Sequence, residues 1–506
     1  MEAFRPDQPR DQLGFLTTGE IVKNGCHRYI RQVNVLVDVA RLNKTTLFRP
    51  QWIKEAIPLD GHQLPSVRSI MVCFNPPAGK RMDSLVAAMA DKQLSRRIAD
   101  NLDGLVDTIL RALPNVRRVA IHAEPGHAMD TAQRQCVARA IAGAHRIVTS
   151  HVTHLELADF GYGGHWSACL PPGSLRRIDV RQDFCSNHIE LVRRNAESLE
   201  HLRLGGVHAE HIAPWLHGSL GPDRVCVYPR LKHLDISYVK THDYEPWLPS
   251  ENPFPQLEVL KCMACAPPFM PAVVLANKDR LRHLGISVDA RAIEMLQAVV
   301  RTSKRAFPNL AYASLAMDIM HFGLENTAAV LACVSKIGPR IQTLCLGRFG
   351  SWSDSGAIPP AGLPDTLQHL DLCDAIMTVD RAVPLLRACP GLLKARLSLV
   401  QPNDDDGYIP LTPESILRLQ DQHRGCTASV RYLGINSFET EEAHDEIIVT
   451  VLLASLLPAV VRVVVLSSCC HMDSELLEDI EHERKKPHYR DCTHLDKVRF
   501  LVGDTW

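Results

Sequence analysis

The chain carries almost no net charge of either sign. Its 506 residues hold 56 Lys and Arg against 57 Asp and Glu, a formal charge of −1. No global field therefore draws it to nucleic acid or to an anionic membrane, and neither is expected as a partner. It lacks any apolar run of about 18 residues, so no membrane-spanning helix is expected. Its first residues, MEAFRPDQPRDQLGF, lack the basic-then-apolar order of a signal peptide, which points to the cytoplasm or nucleus. Motifs of catalysis are missing as well: no GxSxG, no GxxxxGK followed by Ser or Thr, no HExxH and no dinucleotide fingerprint. The reading is a protein that is not an enzyme, with no cofactor and no metal.

Cysteine is plentiful, at 16 residues, yet it is not arranged for metal or redox chemistry. Cys262-Met-Ala-Cys265 is a lone CxxC without the second pair or the spaced histidines that a structural zinc site needs. In a reducing compartment such thiols stay reduced, and Cys262, Cys345 and Cys373 suit packed strand positions. Cys469-Cys470-His471 reads the same way. His208-Ala-Glu-His211 has the wrong spacing for two ligands on one helical face, and Asp404-Asp-Asp-Gly407 lacks the remaining ligands of a calcium loop. The first reads as helix surface and the second as a solvated turn.

What the sequence does contain is a repeated phrase. LEHLRL begins at Leu199, LKHLDI at Leu231, LEVLKC at Leu257 and LRHLGI at Leu281, with starts 32, 26 and 24 residues apart. Each phrase ends in an alternation of period 2, so its last apolar side chains share one face of a short strand. A strand that short cannot bury its face alone. Recurrence every 20 to 30 residues or so, with helical sequence between copies, therefore predicts an α/β leucine-rich-repeat solenoid: an irregular horseshoe with an inner parallel sheet and outer helices.

The phrase extends in both directions. Upstream are a strand opening at Ile30, then VRSIMV from Val67, VRRVAI from Val116, VTHLEL from Val152 and LRRIDV from Leu175. Downstream come LAYASL from Leu310, IQTLCL from Ile341, LQHLDL from Leu367, a degraded LKARL near Leu392, VRYLGI from Val430, VRVVVL from Val461 and LDKVRF from Leu495. That makes sixteen copies, spaced by about 31 residues on average after the first, which is long for this repeat class. The predicted organisation is an N-terminal arm over 1–29 and one solenoid over 30–506. Helices are predicted over 87–99, 102–110, 131–144, 290–306, 325–337, 379–388, 413–423 and 441–457, with Thr412 as N-cap and Pro413 at the first helical position.

Within the phrase the third and fifth residues should face solvent on the inner curve. The third position reads Arg118, His154, Arg177, His201, His233, Val259, His283, Tyr312, Thr343, His369, Lys394, Tyr432 and Lys497 down the stack. The fifth includes Glu156, Asp179, Arg203, Asp235, Lys261 and Asp371. Five histidines in one column, with arginines beside them, mark a polar recognition surface made of Arg118, His154, Arg177, His201, His233, Asp235, His283, His369 and Asp371. The competing reading is that histidine is merely the repeat's spelling at an exposed position. Because Asp235 and Asp371 lie two residues from His233 and His369, those carboxylates should raise the histidine pKa values. Aromatic residues just beyond strand ends, Trp166 after the Val152 phrase and Tyr238, Tyr244, Trp247 and Phe254 in the proline-rich loop from 238 to 256, are candidate anchors for a protein partner at the rim, the competing reading being that they fold back to cover the ends of the stack.

The run YPRLKHLDISYV, then HDYEPWLP, then ENPFPQLEVLKC, inside a long series of LxHLxL units, resembles fungal F-box-like leucine-rich-repeat proteins. The resemblance is most specific between Tyr228 and Cys265. It implies a protein partner held by the repeats, a substrate receptor of a ubiquitin ligase, and a cullin adaptor docked on an N-terminal F-box. The sequence departs from that pattern at its start, where residues 1–29 have no Leu-Pro opening and no helical apolar pattern long enough for an F-box. The expected function is thus a protein-binding scaffold. The alternative from a different class is a hydrolase or metal-dependent enzyme using the histidine-rich face.

Overall fold

The computed structural model describes residues 32–38, 65–75, 106–107, 109–111, 113–123, 151–158, 172–217, 225–239, 251–262, 267, 269–288, 290–302, 306–317, 340–347, 363–399, 403–404, 407–408, 411–425, 428–436, 443–466 and 473–502, with single positions at 100, 333 and 336. The chain falls into two compact units, Met1–Leu231 and Lys232–Trp506. The arm expected over 1–29 lies outside the described residues, as do Trp166, Tyr244, Trp247 and the helices expected over 87–99 and 131–144.

In the first unit the phrases become six parallel strands in chain order: β1 Gln32–Asp38, β2 Ser69–Asn75, β3 Arg118–Ala123, β4 His154–Ala158, β5 Arg177–Asp183 and β6 His201–His208. From β2 onward each phrase starts with a buried apolar residue, as with Val116, Val152, Leu175 and Leu199, and its fourth and sixth residues are buried too, as with Leu155 and Leu157 or Leu202 and Leu204. A recurring backbone contact locks the register. From β3 to β6 the second and third N–H groups of each phrase donate to the carbonyl of the preceding phrase's second residue: Arg176 and Arg177 to Thr153 at 2.8 and 3.0 Å, then Glu200 and His201 to Arg176 at 2.8 and 3.0 Å. Behind β5 and β6, helices α1 Ser186–Arg194 and α2 Ala209–Leu216 cover the apolar face. Phe184, Trp215 and Tyr228 are fully buried there, and the Trp215 indole N–H donates to the Tyr228 hydroxyl at 2.8 Å.

The second unit repeats the scheme with ten parallel strands in chain order: β7 His233–Val239, β8 Val259–Cys262, β9 His283–Val288, β10 Tyr312–Met317, β11 Thr343–Gly347, β12 His369–Met377, β13 Lys394–Leu399, β16 Tyr432–Asn436, β17 Arg462–Leu466 and β18 Arg499–Val502. The remaining pair, β14 Asn403–Asp404 and β15 Gly407–Tyr408, is a small antiparallel hairpin around the acidic turn. The helices are α3 Met270–Asn277, α4 Ala290–Thr302, α5 Val379–Arg387, α6 Pro413–Gln422, α7 Ala443–Leu456 and α8 Asp473–Glu483. At the start of α6 the Ser415 N–H donates to the Thr412 hydroxyl at 3.3 Å, with Pro413 following the cap as expected. α7 is apolar on nearly every side because it packs against α5, α6 and α8 and the 3-10 turn over Thr493–Lys497. Parallel strands in chain order, each linked by an outer segment to the next, establish an α/β leucine-rich-repeat solenoid architecture in each unit.

Four readings need correction. The copy near Val461 starts one residue earlier: Tyr432 pairs with Arg462, Val460 is 3% exposed, and Val461 is 47% exposed. A run of valines supplies the same alternation in either frame, so only burial distinguishes them. The last copy is shifted by two, since Arg462 pairs with Arg499, and Lys497 instead ends a 3-10 turn over Thr493–Lys497. Phe254, read as part of an aromatic rim loop, is buried against Phe269 with ring centroids 6.3 Å apart. Tyr238 belongs to β7 and not to the loop after it. Helices α1, α3 and α8 escaped the sequence reading, and of α2 only the stretch His208–His211 was read as helix, its first residue being the last of β6. Helices α1, α2 and α3 are eight or nine residues long, and α3 is too uniformly apolar to show a period.

Candidate functional site

Among the described residues of the first unit, a group of interacting charged side chains stands on β3, β4 and β5. Register pairs Arg118 with His154 and His154 with Arg177, and in the next column pairs Ala120 with Glu156 and Glu156 with Asp179. Side chains two residues apart share a strand face, so all six point the same way. Glu156 is flanked by two alanines, Ala120 on β3 and Ala158 on its own strand, which leave room for longer side chains to close over it.

Three cationic or titratable groups do so. Arg118 Nη2 donates to Glu156 Oε2 at 2.8 Å, Arg181 Nη2 reaches Oε1 at 2.8 Å, and His122 Nε2 lies 3.0 Å from the same Oε1. Asp179 is held on the next strand by Arg177, whose Nε and Nη2 lie 3.0 and 2.8 Å from Oδ2, and by His154 Nε2 at 3.2 Å. Glu156 and Asp179 were expected to face solvent. They are buried instead, at 1% and 4% exposure, because guanidinium and imidazole groups lie over them. The arginines remain near half exposed, with side chains of Arg118, Arg177 and Arg181 at 43%, 45% and 48%.

The electrostatics follow from that arrangement. Burial by itself would raise the Glu156 pKa, but hydrogen bonds from Arg118 and His122 and the charge of Arg181 outweigh it and hold the carboxyl below its usual range. At Asp179 burial is likewise overcome, by the hydrogen bonds from His154 and Arg177, and the pKa falls to about 2. Both groups are anionic at neutral pH, with three guanidiniums against two carboxylates. His201, one strand further on, moves down through its own burial and the charge of Arg177, so it is neutral at pH 7.

His154, Glu156 and Asp179 offer ligand atoms within 4.8 Å of one another, a donor set of the type that holds divalent cations. Yet both carboxylates already serve guanidiniums, and a cation entering here would have to displace Arg118, Arg177 and Arg181 against their charge. What the arrangement does chemically is tie the charged ends of three arginines to two buried carboxylates while each arginine side chain stays near half exposed. His122 and Arg181 escaped the sequence reading because they sit at the seventh position, one beyond the six-residue phrase. Adjacent acids at the fifth position, each with a basic residue two before it, were the available signal.

The remaining column residues lie in the second unit. His233 and Asp235 share a face of β7, where Asp235 pairs in register with Lys261. His283 stacks on Tyr312 with ring centroids 5.5 Å apart. Its pKa is lowered by burial and by Lys261 and Arg282. His369 meets Thr343, with Nδ1 3.5 Å from Oγ1, and Asp371 meets Arg396 at 3.7 Å. The expected rise at His369 does not occur; burial and Lys394 on the neighbouring strand lower its pKa, while Asp371 is turned to Arg396. Val259 stands between His233 and His283, and Tyr312 and Thr343 between His283 and His369, so these imidazoles are never on adjacent strands. Cys262 is fully buried at the end of its strand, with its thiol pKa pushed far up by burial. Among the described residues no helix is long and apolar enough to cross a membrane.

No known family model matches the chain, and no curated protein does either, so the likeness to fungal F-box-like proteins rests on the quoted residues alone. Among solved structures the chain is similar to the leucine-rich repeat-containing protein LegL7 from Legionella pneumophila, at 8% identity over 90% of this chain and 99% of that one, with a TM-score of 0.26. At that score it adds nothing to the repeat already visible in the strand register.

Proposed function

We propose that the chain is a non-catalytic protein-binding scaffold and that the third-and-fifth-position face of its first unit is a contact surface for a partner. The observation that carries this reading is the trio Arg118, Arg177 and Arg181, half exposed yet anchored on buried Glu156 and Asp179. A long side chain ordinarily loses about 0.5–1.5 kcal/mol of rotamer freedom when a partner immobilises it, and here the carboxylates have already ordered all three. Arginines presented in this way are common anchors of protein interfaces.

The finer reading, a substrate receptor related to F-box proteins, is supported by the resemblance between Tyr228 and Cys265. Two capture experiments test the pair of readings. A protein retained by the parent chain and lost by the Arg118→Gln, Arg177→Gln, Arg181→Gln variant supports the scaffold, and identical captured sets refute a role for the trio. Probing the same captures for a cullin adaptor, with and without residues 1–29, tests the ligase role.

A further inference from the structure

A different surface, in the second unit, points to the chemistry of a ligand. On the last four strands of its sheet the third-position column runs Lys394, Tyr432, Arg462 and Arg499, each in register with the next. Lys394, Arg462 and Arg499 are exposed, and Tyr432 is half-buried between the first two. The Lys394 ammonium lies 5.7 Å from the Tyr432 ring centroid and the Arg462 guanidinium 5.9 Å from it. The aromatic ring thus spaces two cations that reach it from strands on either side, and its electron-rich face offsets part of their repulsion.

No carboxylate balances this column among the described residues. The fifth positions of β16, β17 and β18 are Gly434, Val464 and Leu501. On β13 that position is Arg396, which binds the Asn436 side-chain oxygen at 3.0 and 3.1 Å and meets Asp371 at 3.7 Å. In a chain of net charge −1 a one-signed column is a local feature with a local purpose.

We propose that the column Lys394, Tyr432, Arg462 and Arg499 is a binding site for an acidic, extended polypeptide segment lying across the strands. Three strand spacings of about 4.8 Å give a column of roughly 14 Å, the length of four or five extended residues at about 3.3 Å each. Carboxylates along such a segment meet a cation at both ends and near the middle. A single-stranded nucleic acid fits less well, because base stacking needs an open aromatic face and the Tyr432 ring is already flanked by Lys394 and Arg462. The proposal is independent of the arginine trio in the first unit.

The experiment uses the full chain and a fluorescent peptide of seven glutamates carrying a terminal benzophenone. A seven-glutamine peptide and a seven-nucleotide single-stranded thymidine oligomer serve as comparison probes. Anisotropy is read at about 50 and about 300 mM NaCl, since exposed charges weaken as salt screens them, and crosslinks are mapped by mass spectrometry. The expected result is salt-sensitive binding of the glutamate peptide with crosslinks in residues 390–502. Affinity should fall roughly tenfold, and those crosslinks should disappear, in the Lys394→Gln, Arg462→Gln, Arg499→Gln variant, whose circular dichroism matches the parent because the sites are exposed. Equal affinity in parent and variant, crosslinks confined to residues 1–231, or tighter binding of the oligonucleotide than of the peptide would each overturn the proposal. Loss of the first-unit arginines leaves the 390–502 crosslinks in place, which separates failure here from failure there.

Discussion

Arg177 turns back along its own strand to clasp Asp179 two residues later, with Nε and Nη2 at 3.0 and 2.8 Å from one carboxylate oxygen. The contact is intrastrand, but the burial that strengthens it comes from the strands on either side. With His154 at 3.2 Å from the same oxygen, it sets the Asp179 pKa near 2.

That shift makes stability depend on acid in a stated direction. A carboxyl with a folded pKa of about 2 and an unfolded one of about 3.9 stabilises the native state fully above pH 4 and loses that contribution as pH falls through 2. The loss is on the order of 2 kcal/mol. Urea unfolding of the parent at pH 5, 4, 3 and 2 should show a decline steeper than that of Asp179→Asn, and parallel curves would remove the linkage.

Glu156 sits beneath two guanidiniums and an imidazole, so truncating it should leave like charges facing one another. Removing one partner of a fully buried pair costs about 3–5 kcal/mol; Arg118 and Arg181 reach water, so Glu156→Ala should cost less, about 2 kcal/mol. Replacing Arg181 by Gln, which leaves Arg118 and His122 on the carboxylate, should cost under about 1 kcal/mol. Chemical denaturation of the three proteins gives the ranking.

The register of β17 can be tested with one charge at two neighbouring positions. Val461 is 47% exposed and Val463 is fully buried. Val461→Asp should change stability by less than about 0.5 kcal/mol, whereas Val463→Asp should cost more than about 3 kcal/mol by burying an unpaired carboxylate. The reverse order of melting temperatures would restore the frame that starts at Val461.

Three histidines of the column are expected to be neutral at pH 7. Burial, aided by neighbouring cations, lowers the pKa of His201, His283 and His369 below the ordinary 6.5. Because the unfolded chain then takes up protons at higher pH than the folded one, these groups favour folding less as pH falls below about 6.5. Titration of the imidazole protons by NMR should place all three midpoints below 6.5, and one at or above it would contradict the assigned surroundings of that residue.

The Thr412 cap gives a local test. Its hydroxyl accepts the Ser415 N–H, so Thr412→Ala should destabilise the protein by about 1 kcal/mol and Thr412→Ser by almost nothing. Amide exchange at the start of α6 is the most direct readout.

The repeat was legible because it is written in local terms. An apolar residue at positions one, four and six decides which strand face is buried before any neighbour is known, and that pattern located every parallel strand to within two residues, while the hairpin strands β14 and β15 passed as a turn. Thr412-Pro413 announced the start of α6, and Cys262 declared itself a packing residue, for the same reason. The frame of β17 was not legible, since a valine run satisfies two frames and only the packed neighbours choose between Val460 and Val461.

The charged site belongs to the other category. Sequence placed His154, Arg177 and His201 in one column and Glu156 and Asp179 in the next, but read the acids as facing water. That Arg118 and His122, 38 and 34 residues before Glu156, close over it while Arg181 arrives from the far side depends on strand register and on the space left by Ala120 and Ala158. Charge interactions fall with distance in space and are indifferent to separation along the chain. The sequence alone therefore determined the strands, their order of burial and the columns. Only the folded sheet decided which charges meet, which carboxylates lose water, and that Lys394 on the adjoining strand lowers His369 while Asp371, two residues away along the chain, turns to Arg396.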